Sequence, residues 1–210
     1  MRLGVLGGTF DPIHNGHVAA ADAAQQALSL DSVLLIPSRL PPHRQDPVGA
    51  SSEHRLAMAA LAASTRPGWS ASRIEVDRNG ASYTYDTLVE LGRTPGTQLF
   101  FILGADAFAE IATWSRYPAI LDLANFVVVS RPGITLDSLR ARVPSAFSPR
   151  PAAAGLQPST ETRVILVEAN TPDISATDIR QRVRAGESIM GLVPDSVAAY
   201  VAQHRLYGGS

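Results

Sequence analysis

The 210-residue sequence contains no cysteine and no lysine, and each absence excludes a kind of chemistry. Without cysteine the chain has no disulfide, no thiolate nucleophile and no cysteine-ligated zinc. All 18 basic residues are arginine, so neither a Schiff-base lysine nor a P-loop lysine can be present. The chemistry of any site must therefore rest on other side chains.

The sequence also has little net charge and no long apolar run. The net charge is -1 at pH 7, so no large basic field would attract nucleic acid or an anionic membrane. No apolar run approaches the roughly 20 residues of a membrane span, and the first residues, MRLGVLGG, lack the apolar region of a signal peptide. We therefore expect a soluble, cytoplasmic protein without nucleic-acid or membrane partners. The sequence leaves open whether it forms a homo-oligomer.

Short apolar runs alternate with helical patterns along most of the chain, which is typical of a buried parallel sheet. The sequence predicts a Rossmann-like, doubly wound α/β fold with a mainly parallel sheet and a small C-terminal helical extension. Such sheets bind ligands beyond the carboxyl ends of their strands. The predicted strands are residues 2–7, 32–37, 71–76, 98–104, 125–130 and 163–168, and the predicted helices are 16–28, 52–63, 83–92 and 105–111.

The sequence predicts one domain over residues 1–210. Four prolines block regular structure in the loop after the second strand, PSRLPPHRQDPVGASS. Residues 142–160 form a Pro/Ala/Ser-rich connection, which we expect to be a mobile loop within the domain. The terminal residues YGGS are expected to be frayed.

The end of the first strand is the first candidate site. Gly7 and Gly8 allow a sharp turn and close contact with a ligand, and the helix that follows offers free N–H groups to an anion. His14 and His17 are spaced to share one face of the first helical turn. Helix capping, core packing and zinc ligation are the alternatives for this pair.

A second candidate site follows the last predicted strand, in NTPDISATDIRQRVR. Ser175 and Asp178 form the pattern of a capping box that opens a helix, with Thr177 in the first turn and Arg180 on the same face. A hydroxyl, free helix N–H groups and a guanidinium suit an anion. The alternative is a capped surface helix, but two such clamps favour a polyphosphate held between two helix ends.

Both segments resemble the signatures of one enzyme family. GGTFDPIHNGH is similar to the H-x-G-H signature of the nucleotidylyltransferase superfamily, and its extended form resembles the bacterial nicotinate-nucleotide adenylyltransferases. ISATDIR resembles the second motif of that family, I-S-x-T-x-I-R, which holds the triphosphate of ATP. Class I aminoacyl-tRNA synthetases use a lysine in their second motif, which this chain lacks.

The resemblance implies in-line attack of a mononucleotide phosphate on the α-phosphorus of ATP, with release of pyrophosphate. The attacking phosphate is already ionised, so catalysis reduces to positioning and charge stabilisation. His14, His17 and Arg180 are then the catalytic residues, and no residue ligates a metal. Mg²⁺ is the implied cofactor, held mainly by ATP phosphates and water.

Two further stretches bear on the acceptor. Ser82, Tyr83 and Thr84 lie at a predicted helix start, which suits a carboxylate, although an ordinary N-cap is the alternative. Trp114 follows a short helix and could stack on a cationic pyridinium ring or fill the core. Both stretches are similar to the nicotinate mononucleotide pocket of the family, and PPHR resembles its P-P-H-[KR] motif.

We therefore expect an adenylyltransferase that joins ATP and nicotinate mononucleotide in NAD biosynthesis. The alternatives are another H-x-G-H enzyme, such as phosphopantetheine adenylyltransferase, or a noncatalytic nucleotide sensor. The expected ATP-binding residues are Gly7, Gly8, Thr9, Phe10, Gly104, Asp106, Arg131, Ser175 and Thr177, and those for nicotinate mononucleotide are Ser38, His43, Arg44, Ser82, Tyr83, Thr84 and Trp114.

Overall fold

A computed structural model describes residues 1–40, 49–130, 134–147 and 164–208 of the chain. The strands are β1 (Arg2–Gly8), β2 (Ser32–Pro37), β3 (Trp69–Ala71), β4 (Gln98–Gly104), β5 (Asn125–Ser130) and β6 (Val164–Glu168). The helices are α1 (Asn15–Leu28), α2 (Ser52–Ala63), α3 (Thr84–Leu91), α4 (Ala105–Ala109), α5 (Leu136–Arg142), α6 (Ala176–Arg184) and α7 (Asp195–Gln203). Short 3-10 helices cover Ile111–Thr113, Ala119–Asp122 and Pro144–Phe147.

The strands form one six-stranded sheet in the order β3-β2-β1-β4-β5-β6. The pairs β1·β4, β4·β5 and β5·β6 are parallel, and their register places Val5 beside Phe101 and Phe101 beside Phe126. The order reverses direction between β1 and β4, which is the switch point where doubly wound sheets bind ligands. The predicted α/β fold is confirmed, and α6 and α7 form its C-terminal helical extension.

One predicted strand is wrong. The sequence predicts a strand over residues 71–76, but β3 ends at Ala71 and the chain then forms a turn, in which the amide of Asp77 donates to the carbonyl of Arg73 at 2.9 Å. Arg73 is held at the surface by Glu53 at 2.8 Å and by Asp77 at 3.1 Å. The turn buries Val76 without extending the backbone, so its apolar side chain does not mark a strand.

The chain divides into two compact units. The first unit contains Met1–Leu6, Ala20–Val33 and Tyr83–Asn170. Its core is built on β4 and β5, whose side chains are almost entirely buried. Such unbroken burial explains the continuous apolar runs of these strands, because a parallel strand covered on both faces has no solvent-facing side.

The second unit contains Gly7–Ala19, Leu34–Ser82 and Thr171–Ser210. Here α2 packs against α7 and β3. The buried face of α2 includes Met58, Ala59 and Ala62, and α7 contributes Val197 and Val201. This unit contains the ends of β1 and β2 and the start of α6, so it carries most of the polar residues discussed below.

Residues 148–160 of the predicted mobile loop lie outside the described residues. Of its remaining residues, Arg142 ends α5 and Pro144–Phe147 form a 3-10 helix. No helix in the described parts of the chain is long and apolar enough to cross a membrane.

Candidate active site

The turn after β1 is shaped by the packing of Phe10. This residue has a positive φ of 51° and is 2% exposed. A Cβ atom on Gly8 would lie 2.9 Å from the Phe10 ring, closer than packed carbon atoms approach. A larger residue here would therefore have to displace the buried Phe10 ring. The Phe10 ring in turn packs nearly perpendicular to that of His17, with 5.1 Å between ring centroids.

The two histidines at the start of α1 stack on each other. Their ring centroids are 3.6 Å apart and the ring planes differ by 27°. The backbone amide of His14 donates to Nδ1 of His17 at 3.2 Å. Because Nδ1 of neutral His17 accepts this bond, its proton is on Nε2. His17 is therefore arranged to donate a hydrogen bond through Nε2.

Both histidines are neutral at physiological pH. Burial lowers the pKa of His14 to about 4. The pKa of His17 is lowered well below its ordinary value, first by burial and then by the charge of a protonated His14. Two stacked imidazoles that lose solvation cannot both hold a proton cheaply. In the unliganded protein these residues thus act as hydrogen-bond donors and not as cations.

The start of α6 supplies the charged group. Ser175 is the N-cap, and its hydroxyl accepts a hydrogen bond from the amide of Asp178 at 3.1 Å. One turn further, Nη2 of Arg180 donates to Oγ1 of Thr177 at 3.1 Å. The spacing of three residues predicted that these two side chains share a face, and this local geometry is confirmed.

The histidine pair and the start of α6 line the same cavity. Its volume is about 310 Å³. Arg180 crosses to the β1 turn, where its Nη1 donates to the carbonyl of Asp11 at 2.7 Å. The structure thus brings together the two segments that the sequence assigned to one triphosphate, while the catalytic roles of their side chains stay predictions. The lining residues are Thr9, Phe10, Asp11, His14, His17, Ala176, Thr177 and Arg180.

Asp11 is a buried residue of this cavity that the sequence analysis did not assign to the site. Its carboxylate accepts hydrogen bonds from the amide of Gly49 at 2.8 Å, from the amide of Ala50 at 3.0 Å and from the hydroxyl of Tyr207 at 2.9 Å. Nη1 of Arg180 lies 3.6 Å from the same carboxylate. The carboxylate is held by protein donors, so it is a fixed part of the wall.

Arg55 is the second residue that sequence reasoning missed. It is 1% exposed, and its guanidinium donates to the backbone carbonyls of Thr9, Ser38, Arg39 and Ala50. These contacts tie the turn after β1 to the segment after β2. The signal in the sequence was an arginine on the apolar face of α2, next to Leu56 and in line with Ala59 and Ala62.

The predicted acceptor residues occupy different positions. Ser38 is buried at the end of β2, and its hydroxyl has no hydrogen-bond partner among the described residues. The hydroxyl of Ser82 accepts from the amide of Arg39 at 2.9 Å, so it holds the segment after β2 instead of capping a helix. Tyr83 is the N-cap of α3 and Thr84 is its first residue.

The remaining predicted site residues lie in the first unit or outside the described residues. Gly104 and Asp106 are exposed at the junction of β4 and α4. Trp114 is half-buried after a 3-10 helix, and its ring is nearly perpendicular to that of Phe101 at a centroid distance of 6.0 Å. This contact holds the indole within the unit. His43, Arg44 and Arg131 fall outside the described residues.

The cavity offers hydrogen-bond donors and one guanidinium to a ligand. No group of three or more His, Cys, Asp or Glu side chains is arranged to hold a metal ion in the parts of the chain that the structure describes. The donor set suits an anion. It fits a polyphosphate that brings its own divalent cation, because Mg²⁺ commonly binds through substrate phosphates and water.

Comparison with known proteins shows the family to which the chain belongs. A family model described as cytidylyltransferase-like matches residues 5–182. A protein of Roseiflexus sp. (strain RS-1) named probable nicotinate-nucleotide adenylyltransferase is 46% identical over 98% of this chain and 97% of its own length. The chain belongs to the nicotinate-nucleotide adenylyltransferase family.

Further relatives agree with this membership. A probable nicotinate-nucleotide adenylyltransferase of Citrifermentans bemidjiense is 44% identical over 99% of this chain and 98% of its own length. Among solved structures, the nicotinic acid mononucleotide adenylyltransferase of Plasmodium falciparum complexed with NaAD has a TM-score of 0.74 at 17% identity, covering 98% of this chain and 97% of its own. The structural match shows that this member of the nicotinate-nucleotide adenylyltransferase family shares that fold.

Proposed function

We propose that the protein transfers the adenylyl group of ATP to nicotinate mononucleotide, giving nicotinate adenine dinucleotide and pyrophosphate in NAD biosynthesis. The observation that carries this function is the shared cavity of His14, His17, Thr177 and Arg180. Family membership supports the same reaction, since the full-length relatives are named for it. A noncatalytic sensor would have no use for donors aimed at a reacting phosphate.

The reaction needs no general base. A phosphate oxygen of nicotinate mononucleotide attacks the α-phosphorus of ATP, and the bond from that phosphorus to the bridging oxygen breaks. The bonding electron pair leaves with pyrophosphate. Because the attacking oxygen is already ionised at pH 7, the protein contributes alignment and charge stabilisation.

In this scheme His17 donates from Nε2 to a nonbridging oxygen of the α-phosphate. Negative charge on the phosphate oxygens is redistributed in the transition state, and a fixed donor stabilises it without reorganisation. His14 supports this arrangement through its stacked ring and through the amide that fixes the His17 tautomer. The lowered pKa values keep both imidazoles neutral until phosphate binds, which would favour their charged forms.

Arg180 and Thr177 would hold the leaving pyrophosphate at the start of α6. The guanidinium can make paired, charge-assisted hydrogen bonds to phosphate oxygens. The first amides of the helix add further donors and a favourable dipole. Bound Mg²⁺ would supply charge neutralisation of the pyrophosphate, and the cavity contributes neutral and cationic donors around it.

The acceptor is proposed to bind through its carboxylate and its ring. The first amides of α3 at Thr84 would bind the nicotinate carboxylate, and the face of Trp114 would stack on the cationic pyridinium. His43 and Arg44 are proposed to contact the acceptor phosphate, and Arg131 to lie near the adenine. A carboxylate gains charge-assisted bonds at a helix start that an amide cannot match.

An acceptor screen tests the proposed function. Purified protein is incubated with ATP, Mg²⁺ and one of three acceptors, nicotinate mononucleotide, nicotinamide mononucleotide or phosphopantetheine, and pyrophosphate release is followed. We expect the fastest release with nicotinate mononucleotide and a value of kcat/KM roughly tenfold or more lower with the amide. CTP in place of ATP is the control for the nucleotide. Release with phosphopantetheine alone would refute the acceptor assignment.

A further inference from the structure

The last residues of the described chain reach the wall of the active-site cavity. The sequence reasoning treated the terminal YGGS as frayed, but Tyr207 is 8% exposed. Its hydroxyl donates to Oδ1 of Asp11 at 2.9 Å. Burial, followed by the nearby charge of Asp11, raises the pKa of Tyr207. The hydroxyl is therefore a permanent hydrogen-bond donor to the carboxylate under physiological conditions.

The ring of Tyr207 also lies beside the arginine of the cavity. A Cβ atom on Gly49 would be 3.0 Å from the Tyr207 ring and 3.1 Å from Cδ of Arg180. The backbone of Gly49 thus fits against the tyrosine ring and the arginine stem. Substitution of the tyrosine hydroxyl alone would leave this packing in place.

Asp11 holds Arg180 in two different ways. Its backbone carbonyl accepts from Nη1 at 2.7 Å, which is a direct hydrogen bond. Its carboxylate oxygen Oδ2 is 3.6 Å from the same nitrogen, beyond direct hydrogen-bond length. The carboxylate is thus ion-paired with Arg180 without a direct hydrogen bond, while the carbonyl fixes the position of the guanidinium.

The neutral donors on the carboxylate explain this separation. The amides of Gly49 and Ala50 and the hydroxyl of Tyr207 each donate to it. A carboxylate that loses one of these donors gains by turning toward another donor within reach, and Nη1 of Arg180 lies 3.6 Å away. In a directly hydrogen-bonded ion pair, the Arg180 guanidinium would donate to the Asp11 carboxylate. Less of the positive charge of Arg180 and fewer of its N–H groups would then be available to a ligand.

We propose that Tyr207 is a positioning residue that keeps Asp11 from capturing Arg180, so that the guanidinium stays available to a polyphosphate. This inference rests on the proposed function for the identity of the ligand. It concerns only the phosphate-binding role of Arg180 and not the binding of the acceptor. The affinity for ATP and pyrophosphate therefore depends on Tyr207, while the affinity for the acceptor does not.

The test compares Tyr207→Phe with Tyr200→Phe and with wild type. The hydroxyl of Tyr200 is also hydrogen-bonded, to Nδ1 of His54 at 3.0 Å. His54 does not line the cavity, whereas Asp11, the partner of Tyr207, does. Calorimetry in the presence of Mg²⁺ gives the Kd of ATP and of inorganic pyrophosphate. Steady-state kinetics gives the KM of each substrate. Thermal unfolding gives the Tm of each variant. We expect Tyr207→Phe to weaken both phosphate ligands roughly tenfold, as for loss of one hydrogen bond, with the acceptor KM unchanged. Tyr200→Phe should match wild type.

A double substitution tests the route through Asp11. Asp11→Asn removes the charge that would capture Arg180, so adding Tyr207→Phe to it should weaken pyrophosphate binding no further. A wild-type Kd for Tyr207→Phe, an equal rise in both substrate KM values, or an undiminished effect in the Asp11→Asn background would overturn the inference. If Asp11→Asn does not fold, the Kd and KM values of Tyr207→Phe alone decide whether the inference holds. Wild-type protein that binds ATP but turns over no nicotinate mononucleotide would refute the proposed function. The Kd values of wild type and Tyr207→Phe would still test the positioning role of Tyr207.

Discussion

Replacing His17 with alanine is expected to reduce kcat by about 100-fold or more, as for removal of an oxyanion-hole donor, with ATP affinity close to that of wild type. The reason is the position of the donor. Nδ1 of His17 is occupied by the amide of His14, so Nε2 is the donor that the ring offers to the α-phosphate. An interaction that strengthens in the transition state affects kcat more than ground-state binding.

His204→Ala is a suitable control for this experiment. His204 is an exposed residue at the end of α7 and is not part of the cavity. Its removal should leave kcat within about twofold of wild type, as expected for a surface change. Single-turnover measurements at saturating substrates separate chemistry from product release. A normal single-turnover rate for His17→Ala would show that the reaction does not use this imidazole.

Replacing Arg55 with methionine is expected to lower the free energy of unfolding by at least about 3 kcal/mol. Methionine is similarly unbranched but leaves four backbone carbonyls, those of Thr9, Ser38, Arg39 and Ala50, without their guanidinium donor. The hydrogen bonds to Ser38 and Ala50 are buried, and those to Thr9 and Arg39 are partly buried. Each unsatisfied buried acceptor costs roughly 1–3 kcal/mol, and water can satisfy part of the loss at the partly buried carbonyls. A loss of this size is a large share of the roughly 5–15 kcal/mol that stabilises a protein.

The matched control is the same substitution at the surface. Arg73 makes ion pairs with Glu53 and Asp77, but its side chain is 51% exposed. Solvent screens such exposed pairs, so Arg73→Met should change the free energy of unfolding little. Urea unfolding of both variants measures the contrast. If Arg55→Met and Arg73→Met unfold with the same midpoint and slope, the buried guanidinium does not hold the two loops as described.

The strands with unbroken apolar runs were predictable from the sequence. The predicted bounds of β2, β4 and β5 agree with the structure, because these runs are bounded by turn residues and match the burial of a parallel strand. The segment after β3 was not predictable in the same way. Val76 is buried by a turn and not by a strand, and periodicity alone cannot distinguish the two arrangements.

The local parts of the site were also visible in the sequence. Thr177 and Arg180 are three residues apart and share a face of α6, as the structure confirms. The rings of His14 and His17 stack as their spacing suggested, but His14 precedes α1, which begins at Asn15. The supports of the site were not visible, because Tyr207 lies 196 residues from Asp11. A contact over such a separation depends on the path of the whole chain and leaves no local pattern.

The most direct test of the account is a crystal structure of the protein with a nonhydrolysable ATP analogue and Mg²⁺. One triphosphate should bridge the two helix starts, with an α-phosphate oxygen within hydrogen-bond distance of Nε2 of His17 and the terminal phosphates on Arg180 and Thr177. A triphosphate bound outside this cavity, or contacting the imidazoles while Arg180 stays committed to Asp11, would contradict it.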